Sequence, residues 1–386
     1  MTSSIQASKN PVINIFIIAG EESGDIHGSY LVQEMLKLYP QIKFTGHGGD
    51  KMKAVGVEIV EHISDLALVG FTEVIKHLPF MFNVMSNTIK TIQEISPSRV
   101  ILIDYPGFNL KLAKKLNEFN IPITYFILPQ VWAWKEKRAE IIKNYIDQAL
   151  SIIPFEKDWF GKHEINIDFV GHPFVDIEEP SITKKEFFSK HSLALNKPLL
   201  TLLPGSRQQE IDRHWPIFNN VINKLHNIFP NIQFIVGKAP NVILSDCPEF
   251  IHIEKDNPRL TMYYGDAGLI ASGTATLEAA VLGLPTVVCY KTSKITYWIG
   301  KQLAKVKYLS LINLIANREI VPEFIQQQMT AESLVKAIIP LLSDTPERGK
   351  MISGYKQITE QLGERGVYRR AAKLIVGKIF KHNIND

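Results

Sequence analysis

Apolar positions along the chain fall into short continuous runs separated by longer stretches of mixed polarity with helical spacing. Such runs, bounded by Gly and Pro, predict parallel strands covered on both faces. In the first half they lie at 12–19, 44–49, 99–104, 123–127 and 148–152, with helices expected at 27–38, 71–95 (interrupted by Pro79) and 108–119. At 171–182 (GHPFVDIEEPSI) the alternation gives way to acidic, Pro-containing, aperiodic sequence, which predicts a domain linker. A second series follows, with strands at 199–203, 232–236, 267–271 and from 286, and helices within 215–229 and from the 272–274 turn to 282. Helical sequence at 331–380 exceeds what a second sheet needs, so a tail that crosses back to the first domain or reaches a partner chain is expected. Strands alternating with helices at this interval give an α/β fold with parallel sheets. The expected division is a first domain at 1–175, a second at 176–345 and a helical tail at 346–386.

In such sheets ligands bind at the carboxyl edge, and the unusual residues here follow the strands. The stretch GDAGLIASGTATLEAAVLGLPTVVCY (265–290) places Ser272, Gly273, Thr274 and Thr276 where a strand turns into a helix. A helix N-terminus with a glycine that lets the backbone approach suits a phosphate, and Glu278 lies one turn on, within reach of a sugar hydroxyl. Gly205, Ser206 and Arg207 follow the run at 199–203, and a guanidinium on a Gly-Ser turn suits a diphosphate. The alternative readings are an ordinary capped helix and a surface arginine in a loop between strand and helix. In the first half, Glu21, Ser23, Gly24 and Asp25 crowd carboxylates onto a Gly turn, and Asp104 closes an apolar strand. Partial burial there would raise a carboxyl towards the range of a general base, although a capping aspartate explains the same residue. Trp132 and Trp134, with Lys135, Lys137 and Arg138, read either as a ligand wall or as core.

Composition narrows the classes. The 386 residues are 45% hydrophobic and 21% charged, which suits a globular protein of two or three domains. A net charge of +4 is compatible with an anionic ligand or membrane surface and too weak to argue for nucleic acid. Two distant cysteines predict a reducing compartment. No signal peptide and no membrane-spanning run is expected. No Asp-x-Asp pair, P-loop, G-x-G-x-x-G or His-rich metal spacing occurs. The segment FTEVIKHLPFMFNVM (71–85) carries more apolar residues than one buried face needs, so Phe71, Val74, Ile75, Leu78, Phe80, Met81 and Phe82 are either core or a membrane or acyl-chain contact. Lys301, Lys305, Lys307, Arg369, Arg370, Lys373 and Lys378 would add attraction to anionic lipid.

The motifs AGEESGD (19–25), IDYPGFN (103–109), QVWAWKEKR (130–138), IPFE (153–156), FVGHP (169–173), LLPGSR (202–207), ASGTATLE (271–278) and SLINLIANREIVPE (310–323), in this order, resemble lipid-A-disaccharide synthase. The resemblance spans about 12–380 and implies an inverting glycosyltransferase with two Rossmann-like domains facing across a cleft (GT-B type), using neither metal nor cofactor. It implies transfer of 2,3-diacylglucosamine from UDP-2,3-diacylglucosamine to 2,3-diacylglucosamine 1-phosphate, giving a β-1,6-linked disaccharide and UDP. It makes Asp104 the candidate base and Arg207 the cation facing the departing diphosphate. Gly205, Ser206, Ser272, Gly273, Thr274, Thr276, Glu278 and Asn313 would hold the donor nucleotide. Glu21, Ser23, Gly24, Asp25, Asn109 and Trp132 would line the acceptor side, and the 71–82 residues would meet acyl chains or membrane. It further implies a peripheral enzyme on the cytoplasmic face of the inner membrane of a Gram-negative-type bacterium, as a monomer or a tail-exchanged homodimer. The alternatives are another UDP-sugar enzyme of this fold, such as a UDP-N-acetylglucosamine 2-epimerase or a transferase to a different lipid, a nucleotide-binding regulator without turnover, and a lipid-binding paralogue.

Overall fold

A computed structural model describes residues 12–67, 78–303 and 305–382. The chain forms two compact units, one of residues 1–173 with 364–386 and one of 174–363. The helical tail therefore does not leave as a whole at 346. The helix Pro346–Gln361 packs within the second unit, against Thr274–Val281 and Leu311–Ala316. The chain crosses back only afterwards, through a turn in which Gly363 and Gly366 take φ of +89° and +90°, the left-handed region that glycine enters without strain.

Among the described residues, the first unit holds a seven-stranded parallel sheet: β1 (Ile13–Ala19), β2 (Ile42–Gly48), β3 (Val57–His62), β4 (Arg99–Ile103), β5 (Ile123–Phe126), β6 (Gln148–Ser151) and β7 (Asp168–Phe169), in the order β3-β2-β1-β4-β5-β6-β7. Its central strands are buried along nearly their whole length, as expected of a sheet with helices on both faces. The closing helix, Val367–His382, lies against Glu22–Leu38. It is pinned by Tyr368 Oη on His27 Nδ1 (2.8 Å), by Arg370 Nε donating to the Val170 carbonyl (3.0 Å), and by the Tyr39–Phe380 ring pair.

The second unit holds a six-stranded parallel sheet: β8 (Leu199–Leu203), β9 (Gln233–Gly237), β10 (Ile251–Glu254), β11 (Ala267–Ala271), β12 (Thr286–Tyr290) and β13 (Glu323–Ile325), ordered β10-β9-β8-β11-β12-β13. The helix expected within 215–229 begins earlier and runs Gln208–Ile228 across Pro216. Glu210 accounts for the early start, because its carboxylate reaches back to the amides of Ser206 and Arg207 and satisfies donors at the helix start. Strand order reverses between β1 and β4 in one sheet and between β8 and β11 in the other. A parallel sheet opens its ligand crevice at such a reversal, beyond the carboxyl ends of the strands. Among the described residues no helix is long and apolar enough to cross a membrane.

Candidate active site

At the reversal in the first sheet, Ala19 of β1 pairs in register with Ile103 of β4, so Glu21 and Asp104 leave neighbouring strand ends. Asp104 and Tyr105 both take positive φ, +43° and +47°, a conformation that costs on the order of 1–3 kcal/mol at each such residue and persists only where its surroundings fix it. The fixing is visible. The Asp104 carbonyl accepts Tyr125 Oη (2.5 Å) and Asn109 Nδ2 (2.7 Å), and its amide donates to the Phe126 carbonyl. Gly20 leaves room for the Tyr105 ring, with which an added Cβ would collide. Burial first, and then the Glu21 carboxylate, raise the Asp104 carboxyl from 3.8 to about 6, against a lowering hydrogen bond from the Tyr105 amide. Such a group is half ionised near pH 6 and suited to accept a proton near neutrality.

The other acceptor-side residues divide. Glu21 and Ser23 are exposed at this edge. Asp25 instead turns inward and accepts the amides of Gly49, Lys51 and Met52, capping the helix Asp50–Ala54. Gly24 is buried against Ala19. Asn109 is fully buried, and its Nδ2 donates to the Ile103 and Asp104 carbonyls, which holds the Asp104 turn. Trp132 is core: its Nε1 donates to Glu156 (2.9 Å), and its ring packs edge-on against Phe155. Burial raises the Glu156 carboxyl to about 7 against the hydrogen bonds from Ser151 and Trp132. Trp134 is the exposed aromatic of the pair, with Lys135 Nζ over its ring at 4.0 Å.

At the reversal in the second sheet, Leu203 of β8 pairs with Ile270 of β11, which sets the loops at 204–207 and 272–274 side by side. Gly205 has φ of +136°, and a Cβ there would lie 2.6 Å from Glu210 Cβ. The Ser206 and Arg207 amides converge on one oxygen of Glu210, so they form an anion receptor that a carboxylate occupies, and a phosphate there must share or displace it. The Arg207 side chain is three-quarters exposed, 3.7 Å from Glu210. Below this loop the buried His214 bridges backbones: its Nδ1 bonds the Pro204 carbonyl (2.7 Å), and its Nε2 accepts the Lys291 amide (2.9 Å). That pattern fixes the neutral tautomer, and burial lowers its pKa in the same sense.

Ser272 continues the strand ladder to Cys289, while Gly273 and Thr274 are exposed at the start of the helix Thr274–Val281. Thr276 departs from expectation. It is buried, and its hydroxyl donates to the Gly273 carbonyl, so it shapes the turn rather than facing a ligand. Glu278 pairs with Arg259, a residue the sequence pattern did not single out. Asn313 also departs: fully buried, it bonds the Val321 carbonyl, Glu323 and the amides of Ile320 and Val321, so all its polar capacity is used inside the unit. Of the apolar segment, Phe71, Val74 and Ile75 lie outside the described residues, as does the side chain of Leu78. Phe80 and Met81 pack against the first unit's core, and Phe82 stands 70% exposed. Among the described residues no group of three or more His, Cys, Asp or Glu side chains is placed to hold a metal ion.

Comparison with known proteins adds the family. A family model described as lipid-A-disaccharide synthetase matches residues 15–377. A lipid-A-disaccharide synthase of Solibacter usitatus is 35% identical, covering 94% of this chain and 96% of its own. One from Geobacter metallireducens is also 35% identical, over 96% and 98% of the two chains. Among solved structures, the glycosyltransferase of kitacinnamycin aligns at a TM-score of 0.67 and 13% identity over 96% of this chain and all of its own. The UDP-GlcNAc 2-epimerase of Neisseria meningitidis aligns at 0.62 and 13% over the same shares. At that identity the likeness speaks for the fold alone, that of GT-B glycosyltransferases and epimerases.

Proposed function

The chain belongs to the lipid-A-disaccharide synthase family and is a glycosyltransferase of lipid A biosynthesis; from that premise we propose a reaction and a role for each edge. The donor is UDP-2,3-diacylglucosamine, the acceptor is 2,3-diacylglucosamine 1-phosphate, and the products are the β-1,6-linked disaccharide 1-phosphate and UDP. The Asp104 carboxylate takes the proton of the acceptor 6-hydroxyl while that oxygen attacks the anomeric carbon from the face opposite UDP. The bond from that carbon to the diphosphate oxygen breaks with its electron pair leaving on the diphosphate, so the configuration inverts. Arg207 neutralises the charge that develops there. The Ser206 and Arg207 amides and the 272–274 turn bind phosphate, and Glu278, oriented by Arg259, takes the ribose.

The observation that carries this reading is Asp104, a carboxyl raised to about 6 on a braced left-handed turn at a sheet reversal. A binder or regulator needs no such group. The epimerase alternative rests on fold likeness only, whereas the relatives similar along the whole chain carry the synthase name. We place the enzyme at the cytoplasmic surface of the inner membrane, with Phe82 among its lipid contacts.

The test is a product assay with both lipids in detergent micelles, for wild type and Asp104→Ala. Disaccharide and stoichiometric UDP from wild type, with turnover at least a hundredfold lower in the variant, are expected. UDP released without disaccharide, or no turnover with this acceptor, would overturn the substrate assignment.

A further inference from the structure

We propose that the helix Lys294–Leu303 and the lysine-rich segment that follows it form a surface that docks the second unit on an anionic lipid bilayer. Every described side chain of this helix except Tyr297 is exposed. Its apolar residues are among the most exposed of the protein: Ile295 at 74%, Trp298 at 62% and Leu303 at 49%. At 3.6 residues per turn these three fall within an arc of roughly 140°, and Tyr297, the half-buried residue, points the other way. The apolar arc therefore faces away from the body of the unit, with Lys294 and Lys301 together along one flank. Ser293 holds the first turn, its Oγ accepting the Thr296 amide at 3.0 Å, so the helix is formed without a partner.

Charge selects the occupant. No acidic residue occurs between Glu278 and Glu319, while Lys291, Lys294, Lys301, Lys305, Lys307 and Arg318 all lie in that span. Protein interfaces are depleted in lysine at their centres and generally interleave both signs. An apolar face with an exposed Trp, on a stretch of chain that carries cations and no carboxylate of its own, matches acyl chains beneath anionic headgroups. The proposal deepens the reading above, since both substrates proposed there are lipids. Vesicle binding is measured without either substrate, so the two fail separately.

The experiment uses the full chain and vesicles of phosphatidylethanolamine and phosphatidylglycerol, some with brominated acyl chains that quench tryptophan on contact, against phosphatidylcholine vesicles as the neutral control. Wild type is expected to bind the anionic vesicles and to be quenched. Trp298→Phe should bind within about twofold of wild type yet lose most of the quenching. The pair Ile295→Ser/Trp298→Ser should bind about tenfold or more weakly, and Lys294→Gln and Lys301→Gln about fivefold less each at low salt. Circular dichroism confirms that the variants keep the fold. Quenching that survives Trp298→Phe, wild-type binding by the serine pair, or indifference to lipid charge would overturn the proposal. So would light scattering in which the serine pair turns a dimer into a monomer, which would assign the face to a second copy of the chain.

Discussion

Replacing Asp104 by asparagine should make the protein more stable and nearly inactive, and both effects follow from one carboxyl. Its pKa is 3.8 in the unfolded chain and about 6 in the folded one, chiefly through burial and secondly through Glu21. Below pH 3.8 both states hold the proton and the group costs nothing. Between 3.8 and about 6 the unfolded chain releases the proton while the folded chain keeps it, so stability falls as pH rises; above about 6 the loss is complete. A difference of about two units at 1.36 kcal/mol per unit gives about 3 kcal/mol, which solvent screening of a partly exposed group brings nearer 2 kcal/mol. Asparagine keeps the shape, tolerates left-handed φ and carries no charge. Asp104→Asn should therefore gain about 2 kcal/mol at pH 8 and about half of that at pH 5. For a unit of this size that is a rise in Tm of roughly 4–8 °C at pH 8. Thermal unfolding by calorimetry across pH 5–8, beside the product assay, reads both effects. A variant no more stable than wild type at pH 8, or a gain that does not change with pH, would refute the desolvated carboxylate. Turnover within tenfold of wild type would refute its role as base.

Glu21→Gln removes the like charge that holds Asp104 up, so the acidic limb of kcat/KM should move to lower pH, which a rate profile over pH 5–8 reads directly. Gly205→Ala puts a Cβ against Glu210 at a φ of +136° and should cost about 1–3 kcal/mol, with UDP affinity by calorimetric titration falling about tenfold. Asn313→Ala strips four buried hydrogen bonds and should cost the second unit about 3 kcal/mol or more in urea unfolding. Trp132→Phe takes one donor from the buried Glu156 and should lose about 1–3 kcal/mol of stability with the acceptor KM unchanged. A tenfold rise in that KM would return Trp132 to the substrate.

What the hydrophobic pattern reveals and what it hides have one physical cause. The strands it finds are the inner ones, while β3, β7, β10 and β13 escape it, and these four are the outer strands of the two sheets. An outer strand is covered incompletely, so charged and exposed residues interrupt its run: β3 reads Val-Glu-Ile-Val-Glu-His and β10 Ile-His-Ile-Glu. A continuous apolar run is a signature of cover on both faces and fails where cover fails.

The same limit governs the site. A carboxylate closing an apolar strand marks Asp104 in the sequence, and its position beside Glu21 follows once the strand order is known. Which way a side chain turns where a strand or loop passes into a helix has no periodicity to read. Asp25, Trp132, Thr276 and Asn313 sit in the first turns of helices, yet each spends its polar atoms on backbone or buried groups of its own unit. Tyr125 shows the converse. A tyrosine inside an apolar strand reads as core, and only the parallel register that pairs it with Leu102 brings its hydroxyl to the Asp104 carbonyl. Residues that brace the Asp104 turn are thus drawn from the core pattern, and the polar residues left at the sheet reversals from the breaks in it. The Glu21 carboxylate and the Arg207 guanidinium, exposed at the two sheet reversals, are legible early because nothing in the packing requires them.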